Sequence, residues 1–417
     1  MKKQSLSERA DIFPVKIYGE QISEIPNPQD KGVLTYFGSS CYLRLLETRR
    51  KQMNLIHSKE NTLAIENDNY FVTSCKSKTS SPATYVVKGY DNHIKEGLNK
   101  DVKWAVRNVP YNDESTNNGT PLWQDLIEAD NKNGVLEFQS DVLPTSLERG
   151  SATASIRKRY FDDFGLYKVR TIPFDAFKEW GADVATGMYF CRKGYAGDIT
   201  VKTDIETYTH DFQKEGFIVT PDTKSELDFI LSCVYKPSYD FSAPKLVGLG
   251  GKRLKGNVKK LDIFSLNKTD TFKYPLLCEM RADKNVLGYT STIVDPDWDK
   301  DRLVIPNYTG GWDGGKREMG VVKYLPAGIQ LPANSYKYMI CDPTKAKIHA
   351  MYLMSTYVKY LQYIWKVQRT NDAPQLRVIP ELTDFTVQTD DDILEFLGGT
   401  LIKKEIIDGY SRKIAKK

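Results

Sequence analysis

Cysteine and histidine are scarce in this chain and widely scattered. Its 417 residues hold six cysteines, Cys41, Cys75, Cys191, Cys233, Cys278 and Cys341, and four histidines. None of the cysteines forms a Cys-x-x-Cys pair and no histidine stands at ligand spacing. That excludes an obvious structural zinc site or disulfide framework, and it suits a reduced, cytoplasmic protein with no bound metal. A long apolar run is also missing. The opening Met1-Lys-Lys-Gln-Ser-Leu-Ser-Glu has no apolar core behind its lysines, so it does not read as a secretory signal. No stretch approaches membrane-spanning length, so no membrane partner is expected. Finally, the chain lacks a strong charge of one sign. With 59 basic and 54 acidic residues the net charge is +5, compatible with nucleic acid, and the distribution of charge has to decide.

What is present is enough to build a core. A 40% hydrophobic and 12% aromatic composition is not that of a disordered chain, and a length of 417 residues predicts two domains. The chain is organised around Lys103-Trp-Ala-Val-Arg-Asn-Val-Pro-Tyr111. Trp104 and Val106 alternate with Lys103, Ala105 and Arg107, the pattern of a strand, and Pro110 forbids ladder pairing just beyond. Asn108 is therefore expected at a strand's carboxyl end, which in an open α/β sheet is where ligands bind. A side-chain amide, a rigid proline and an aromatic ring presented together can hold a flat heterocycle with an exocyclic amine. The amide oxygen and a neighbouring carbonyl accept its N–H bonds and the ring stacks on its face. Adenine is such a heterocycle. The plainer reading of the tetrapeptide is a proline turn after a strand.

The surroundings favour the chemical reading. After Asn108-Val-Pro-Tyr111 come a polar loop to Asn118-Gly119-Thr120, the helical Pro121-Leu-Trp-Gln-Asp-Leu-Ile-Glu128, Asn133-Gly-Val-Leu-Glu-Phe138 and Leu143-Pro-Thr-Ser146. This succession resembles the adenine-N6 DNA methyltransferases of restriction-modification systems. In that family an Asn/Asp-Pro-Pro-Tyr motif ends the fourth strand and is followed by a loop, a helix, a Gly-led fifth strand and a Pro-Ser turn. Val109 replaces the first proline, as in adenine dimethyltransferases that act on RNA. The resemblance continues through Val184 to Cys191, Ser335 to Ile340 and Asp390 to Leu397. It implies an α/β fold, with a Rossmann-like methyltransferase domain over 1–207 and an α+β target-recognition domain over 208–417. It also implies Asn108, Pro110 and Tyr111 as catalytic residues, S-adenosylmethionine as cofactor and DNA as partner.

The cofactor positions depart from the family's pattern. Gly32 to Leu43 has the outline of a strand, a turn and a helix beginning near Tyr42. It falls where the family keeps an Asp-x-Phe-x-Gly-x-Gly loop, so Phe37, Ser39 and Cys41 are the candidate cofactor contacts. Thr35 replaces the acid, and Ser39 and Cys41 replace glycines that let a backbone approach its ligand closely. Met53 to Ile56 reads as the next strand and ends in His57-Ser-Lys59 instead of an acid, with Glu60 the nearest carboxylate. Phe71 to Cys75 reads as the third and lacks the expected aspartate. Two readings stay open: an active methyltransferase, and an inactive homologue acting as a DNA-recognition subunit or an anti-restriction partner. Val109 alone hints at an RNA-modifying enzyme.

Further on, the adjacent Arg157, Lys158 and Arg159 read as a solvated helix face. Val184 to Cys191 and Asp198 to Lys202 read as a hairpin around the turn Arg192 to Gly197. Beyond a boundary near Tyr208, two glycine-bearing basic loops offer backbone amides and cations to phosphates, with Lys252, Arg253 and Lys255 in one and Lys316 and Arg317 in the other. Neither has P-loop spacing. Ile348 to Trp365 reads as one buried helix, in which His349 is not expected to be a ligand. Asp390 begins a helix whose acids suit its positive end, and a basic tail from Lys403 to Lys417 follows.

Overall fold

A strand hydrogen-bonded on both sides and covered on both faces has to bury everything it carries, and the strand holding Trp104 is of that kind. Trp104, Ala105, Val106 and Arg107 are all buried, so the polar-apolar alternation does not mark a half-exposed strand: Arg107 has no exposed surface at all. The computed structural model describes residues 20–21, 23–24, 33–37, 62–65, 86–88, 94–97, 102–108, 122–173, 185–245, 263–307, 319–332, 335–365, 373–398 and 408–409. At 33–37, 62–65, 86–88, 102–103 and 108 it describes the backbone only. The chain divides into two compact units, Met1–Thr220 and Pro221–Lys417.

In the first unit the strands are β1 (Val33–Phe37), β2 (Thr62–Ile65), β3 (Val86–Lys88), β4 (Val102–Asn108), β5 (Phe138–Pro144), β6 (Leu166–Thr171), β7 (Thr186–Arg192), β8 (Ile199–Lys202) and β9 (Thr207–His210). They form one sheet in the order β3-β2-β1-β4-β5-β7-β6-β8-β9. From β3 to β5 all neighbours are parallel. β7 then enters antiparallel between β5 and β6. Parallel neighbours need crossover connections, and α1 (Leu122–Asp130) lies between β4 and β5 in the chain. After β5 come α2 (Ser146–Arg149) and α3 (Ala154–Asp162).

Several sequence expectations are corrected here. Met53–Ile56 and Phe71–Cys75 lie outside the described residues, and the strands beside β1 and beyond it are Thr62–Ile65 and Val86–Lys88, registered Leu34↔Thr62 and Leu63↔Val86. The fifth strand starts at Phe138, several residues after Gly134. The expected hairpin is absent, because β6 takes the free edge of β7 and β8 pairs in parallel with β6. Arg157 is buried, donating to the carbonyls of Gly216, Leu147 and Gly150, while Lys158 faces solvent. β9 pairs with β8, so the chain just past 207 still belongs to this sheet and the division falls at 220/221. The turn into β6 depends on Gly165, at φ +69°, where a Cβ would sit 2.2 Å from the Arg192 carbonyl.

The second unit opens with α4 (Lys224–Val234), started by a reciprocal capping box between Thr223 and Glu226. Its strands are β10 (Phe264–Ser265), β11 (Tyr274–Met280), β12 (Asn285–Thr290), β13 (Arg302–Pro306), β14 (Lys323–Leu325) and β15 (Tyr336–Ile340). They form two antiparallel sheets, β10-β12-β11 and β14-β13-β15. Leu277 of one sheet packs with Val304, Leu325, Tyr336 and Tyr338 of the other. The stretch read as one helix from Ile348 is two, α5 (Pro343–Leu353) and α6 (Thr356–Trp365). Asp342 caps the first, with Pro343 in its first turn, and the Ser355 hydroxyl accepts from the Val358 N–H at the start of the second. The helix expected from Asp390 is present as α7 (Asp390–Leu397), with Thr389 and Asp392 as its capping box.

Candidate functional site

Chain order and sheet order reverse between β1 and β4. From β1 the chain builds outward through β2 and β3, then returns to place β4 on the other side of β1. Such a reversal splays the two connections apart and leaves a crevice at the strands' carboxyl ends. β1 ends at Phe37 and β4 at Asn108, and Phe37 is the register partner of Arg107, so Phe37 and Asn108 stand at adjacent strand ends. Two sequence-derived candidates separated by seventy residues are thereby brought to one edge. Pro110, Tyr111, Ser39 and Cys41 lie outside the described residues, as do Lys252, Arg253, Lys255, Lys316 and Arg317 of the basic loops.

Asn108 follows a residue whose side chain is held from several directions. The Arg107 guanidinium donates from Nη1 to Asp130 Oδ2 at 2.5 Å, from Nη2 to Gln139 Oε1 at 2.6 Å and to Asp141 Oδ2 at 3.1 Å, and from Nε to Asp141 Oδ1. Asp141 also accepts from the Tyr160 hydroxyl at 2.6 Å. The elements joined are β4, β5, the C-terminal end of α1 and α3. Both ion-pair carboxylates and the guanidinium are fully buried. Burial works against the Arg107 charge, but Asp141 and Asp130 outweigh it and raise the guanidinium above its ordinary value. Burial, then the Asp141 charge, pushes the Tyr160 phenol well up, so it remains a donor.

A second hold acts on the main chain. The buried Gln21 side chain donates to the carbonyls of Arg107 and Ser140. Its neighbours carry charge outward: Glu20 pairs with Lys168 and Lys202, and Glu24 with Lys168 and the Tyr167 hydroxyl. Burial works against the Glu20 charge, but the lysines outweigh it and lower its pKa.

Sequence reasoning missed these partners. The one available signal was the pair of acids, Asp130 closing a helix and Asp141 inside the strand that follows it, downstream of an arginine. It also missed Glu66, which follows Ile65, the last residue of β2, in the chain. With β2 placed at 62–65, the acid expected after the second strand is present in the sequence. Among the described residues no group of three or more His, Cys, Asp or Glu could hold a metal ion. No helix among them is long and apolar enough to cross a membrane.

No family model and no curated protein matches the chain. Solved structures do. A nuclease-deletion mutant of the Type ISP restriction-modification enzyme LlaGI, solved with a DNA substrate mimic, is similar over 93% of this chain and 54% of its own, at 11% identity and a TM-score of 0.50. The type IIG restriction endonuclease BpuSI matches 93% of this chain and 60% of its own, at 13% identity and a TM-score of 0.40. A type I restriction-modification methyltransferase subunit from Streptococcus thermophilus matches 45% of each chain, at 12% identity and a TM-score of 0.32. The chain thus spans little more than half the length of the two restriction enzymes. Its sheet order, its switch point and the LlaGI match together give it the α/β, Rossmann-like fold found in restriction-modification methyltransferases.

Proposed function

We propose that the protein methylates the N6 amine of adenine in DNA, with the first unit as the methyltransferase domain and the second, together with its basic loops, as the target-recognition domain. The observation that carries this reading is the adjacency of Phe37 and Asn108 at the sheet's switch point. The donor set fits S-adenosylmethionine. β1 ends in an aromatic residue, and the chain leaves β2 through Glu66, a carboxylate suited to ribose hydroxyls. When bound, the cofactor supplies an electrophilic methyl group. Asn108 accepts a hydrogen bond from one N6 N–H with its amide oxygen and the Val109 carbonyl accepts from the other, which makes the amine a better nucleophile. Tyr111 stacks on the base, which has to leave the duplex at a cost of a few kcal/mol. Positioning and oriented acceptors supply the acceleration.

Asn108→Ala tests the assignment. It is expected to lower transfer of a labelled methyl group to duplex DNA by at least about 100-fold while duplex binding persists, and normal transfer by the variant would refute it. A second reading, an inactive recognition subunit or anti-restriction partner, is favoured by Ser39 and Cys41 at the family's glycine positions. Calorimetric titration with S-adenosylhomocysteine separates the two: heat of binding supports the enzyme, and none supports the second reading.

A further inference from the structure

We infer that Arg107 is a positioning residue: its buried guanidinium fixes the end of β4 that presents Asn108. The inference rests on the reading of Asn108 as the base-binding amide.

A central parallel strand normally carries apolar side chains. Taking a guanidinium and two carboxylates out of water costs several kcal/mol per ion, and replacing such a cluster with apolar groups is often neutral or stabilising. Stability alone therefore gives no reason for Arg107 to be there. Its geometry does. Arg107 is covalently next to Asn108, and its side chain is tied to Asp141 and Gln139 on β5 and to Asp130 on α1. Asp130 is the last residue of α1, so the guanidinium locks the carboxyl end of β4 to β5 and to the end of α1 that leads into β5. Tyr160 and Asn131 complete the brace, donating to Asp141 at 2.6 Å and to Gln139 at 3.2 Å. An apolar side chain could fill the same volume, but it could not fix rotation and register at the strand's end with directional bonds.

The test compares wild type with Arg107→Lys, which keeps the charge but loses the planar multidentate donor, and with Tyr160→Phe, a milder change should the lysine variant fail to fold. Hydrogen exchange is followed by mass spectrometry in the peptide spanning 103–112 and in the rest of the first unit. Exchange in that peptide is expected to rise at least about tenfold while peptides from β7 and β8 stay within about twofold. In parallel, kcat for methyl transfer is expected to fall by about 10- to 100-fold with KM for the cofactor nearly constant. Exchange that is unchanged, or that rises uniformly through the unit, overturns the inference, as does a loss carried wholly by KM. If wild type transfers no methyl group, the proposed function fails and the exchange pattern still decides the role of Arg107.

Discussion

The Gln21 side-chain amide donates to the main-chain carbonyl of Arg107 at 3.3 Å, and to that of Ser140 at 3.0 Å. A residue 86 positions upstream thus bridges the end of β4 and the first half of β5. Buried acceptors left unsatisfied cost about 1–3 kcal/mol. Gln21→Leu is expected to destabilise the protein by about that amount in urea denaturation; a variant as stable as wild type would show the contact to be dispensable.

In the proposed function the role of the acid after the second strand falls to Glu66, which follows β2 in the chain, and not to Glu60. Loss of a charge-assisted hydrogen bond typically costs about 1.5–3 kcal/mol, or about 10- to 100-fold in affinity. Calorimetry is expected to show S-adenosylhomocysteine binding weakened to that extent in Glu66→Gln and unaltered in Glu60→Gln. The reverse ranking would make Glu60 the ribose-binding acid.

Lys316→Ala and Arg317→Ala probe the basic loop. If each cation neutralises one phosphate, the slope of log affinity against log salt falls by about 0.9 per substitution. Duplex binding measured across a salt series gives that slope directly. An identical slope in the double variant would remove this loop from the DNA interface.

His349 gives the second unit a defined acid sensitivity. Its Nδ1 lies 2.6 Å from the Tyr239 hydroxyl, and its buried ring meets the Tyr239 and Phe385 rings edge-on. Burial, and then the Lys345 charge, holds its pKa below the ordinary 6.5. The unfolded chain therefore takes up this proton at higher pH than the folded one, so stability rises with pH across the interval. The contribution is complete above the unfolded value and declines as pH drops through it toward the lowered folded value. Melting temperatures from about pH 7.5 to about pH 5.5 are expected to fall more in wild type than in His349→Gln. Parallel curves would show that His349 does not titrate in this range.

The local grammar of the chain was legible and its long-range pairing was not. Strands β1, β4, β7 and β8 and helix α7 follow from periodicity, turn placement and the acids at the helix start, α1 follows from the family resemblance, and the arrival of Asn108 at a strand end follows from Pro110. Which strands sit side by side does not. Met53–Ile56 and Thr62–Ile65 are both short apolar runs, and only the register Leu34↔Thr62 identifies the neighbour of β1. β6 was overlooked because Leu166-Tyr-Lys-Val-Arg-Thr171 carries charges, whose partners Glu20, Glu24 and Asp204 come from distant positions. Arg107 misled for the same reason: an arginine in an alternating strand reads as solvent-facing until its buried acids are known.

Those acids also bear on how the molecule assembles. Asp130 and Asp141 lie only 23 and 34 residues beyond Arg107, so both carboxylates that meet the cation come from a short contiguous stretch. Until α1 and β5 have docked, closing the interior over β4 would strand a bare cation, and that barrier disfavours any partly collapsed species holding the strand without its two successors. The three elements are thereby expected to form together, with similar φ-values in β4, α1 and β5.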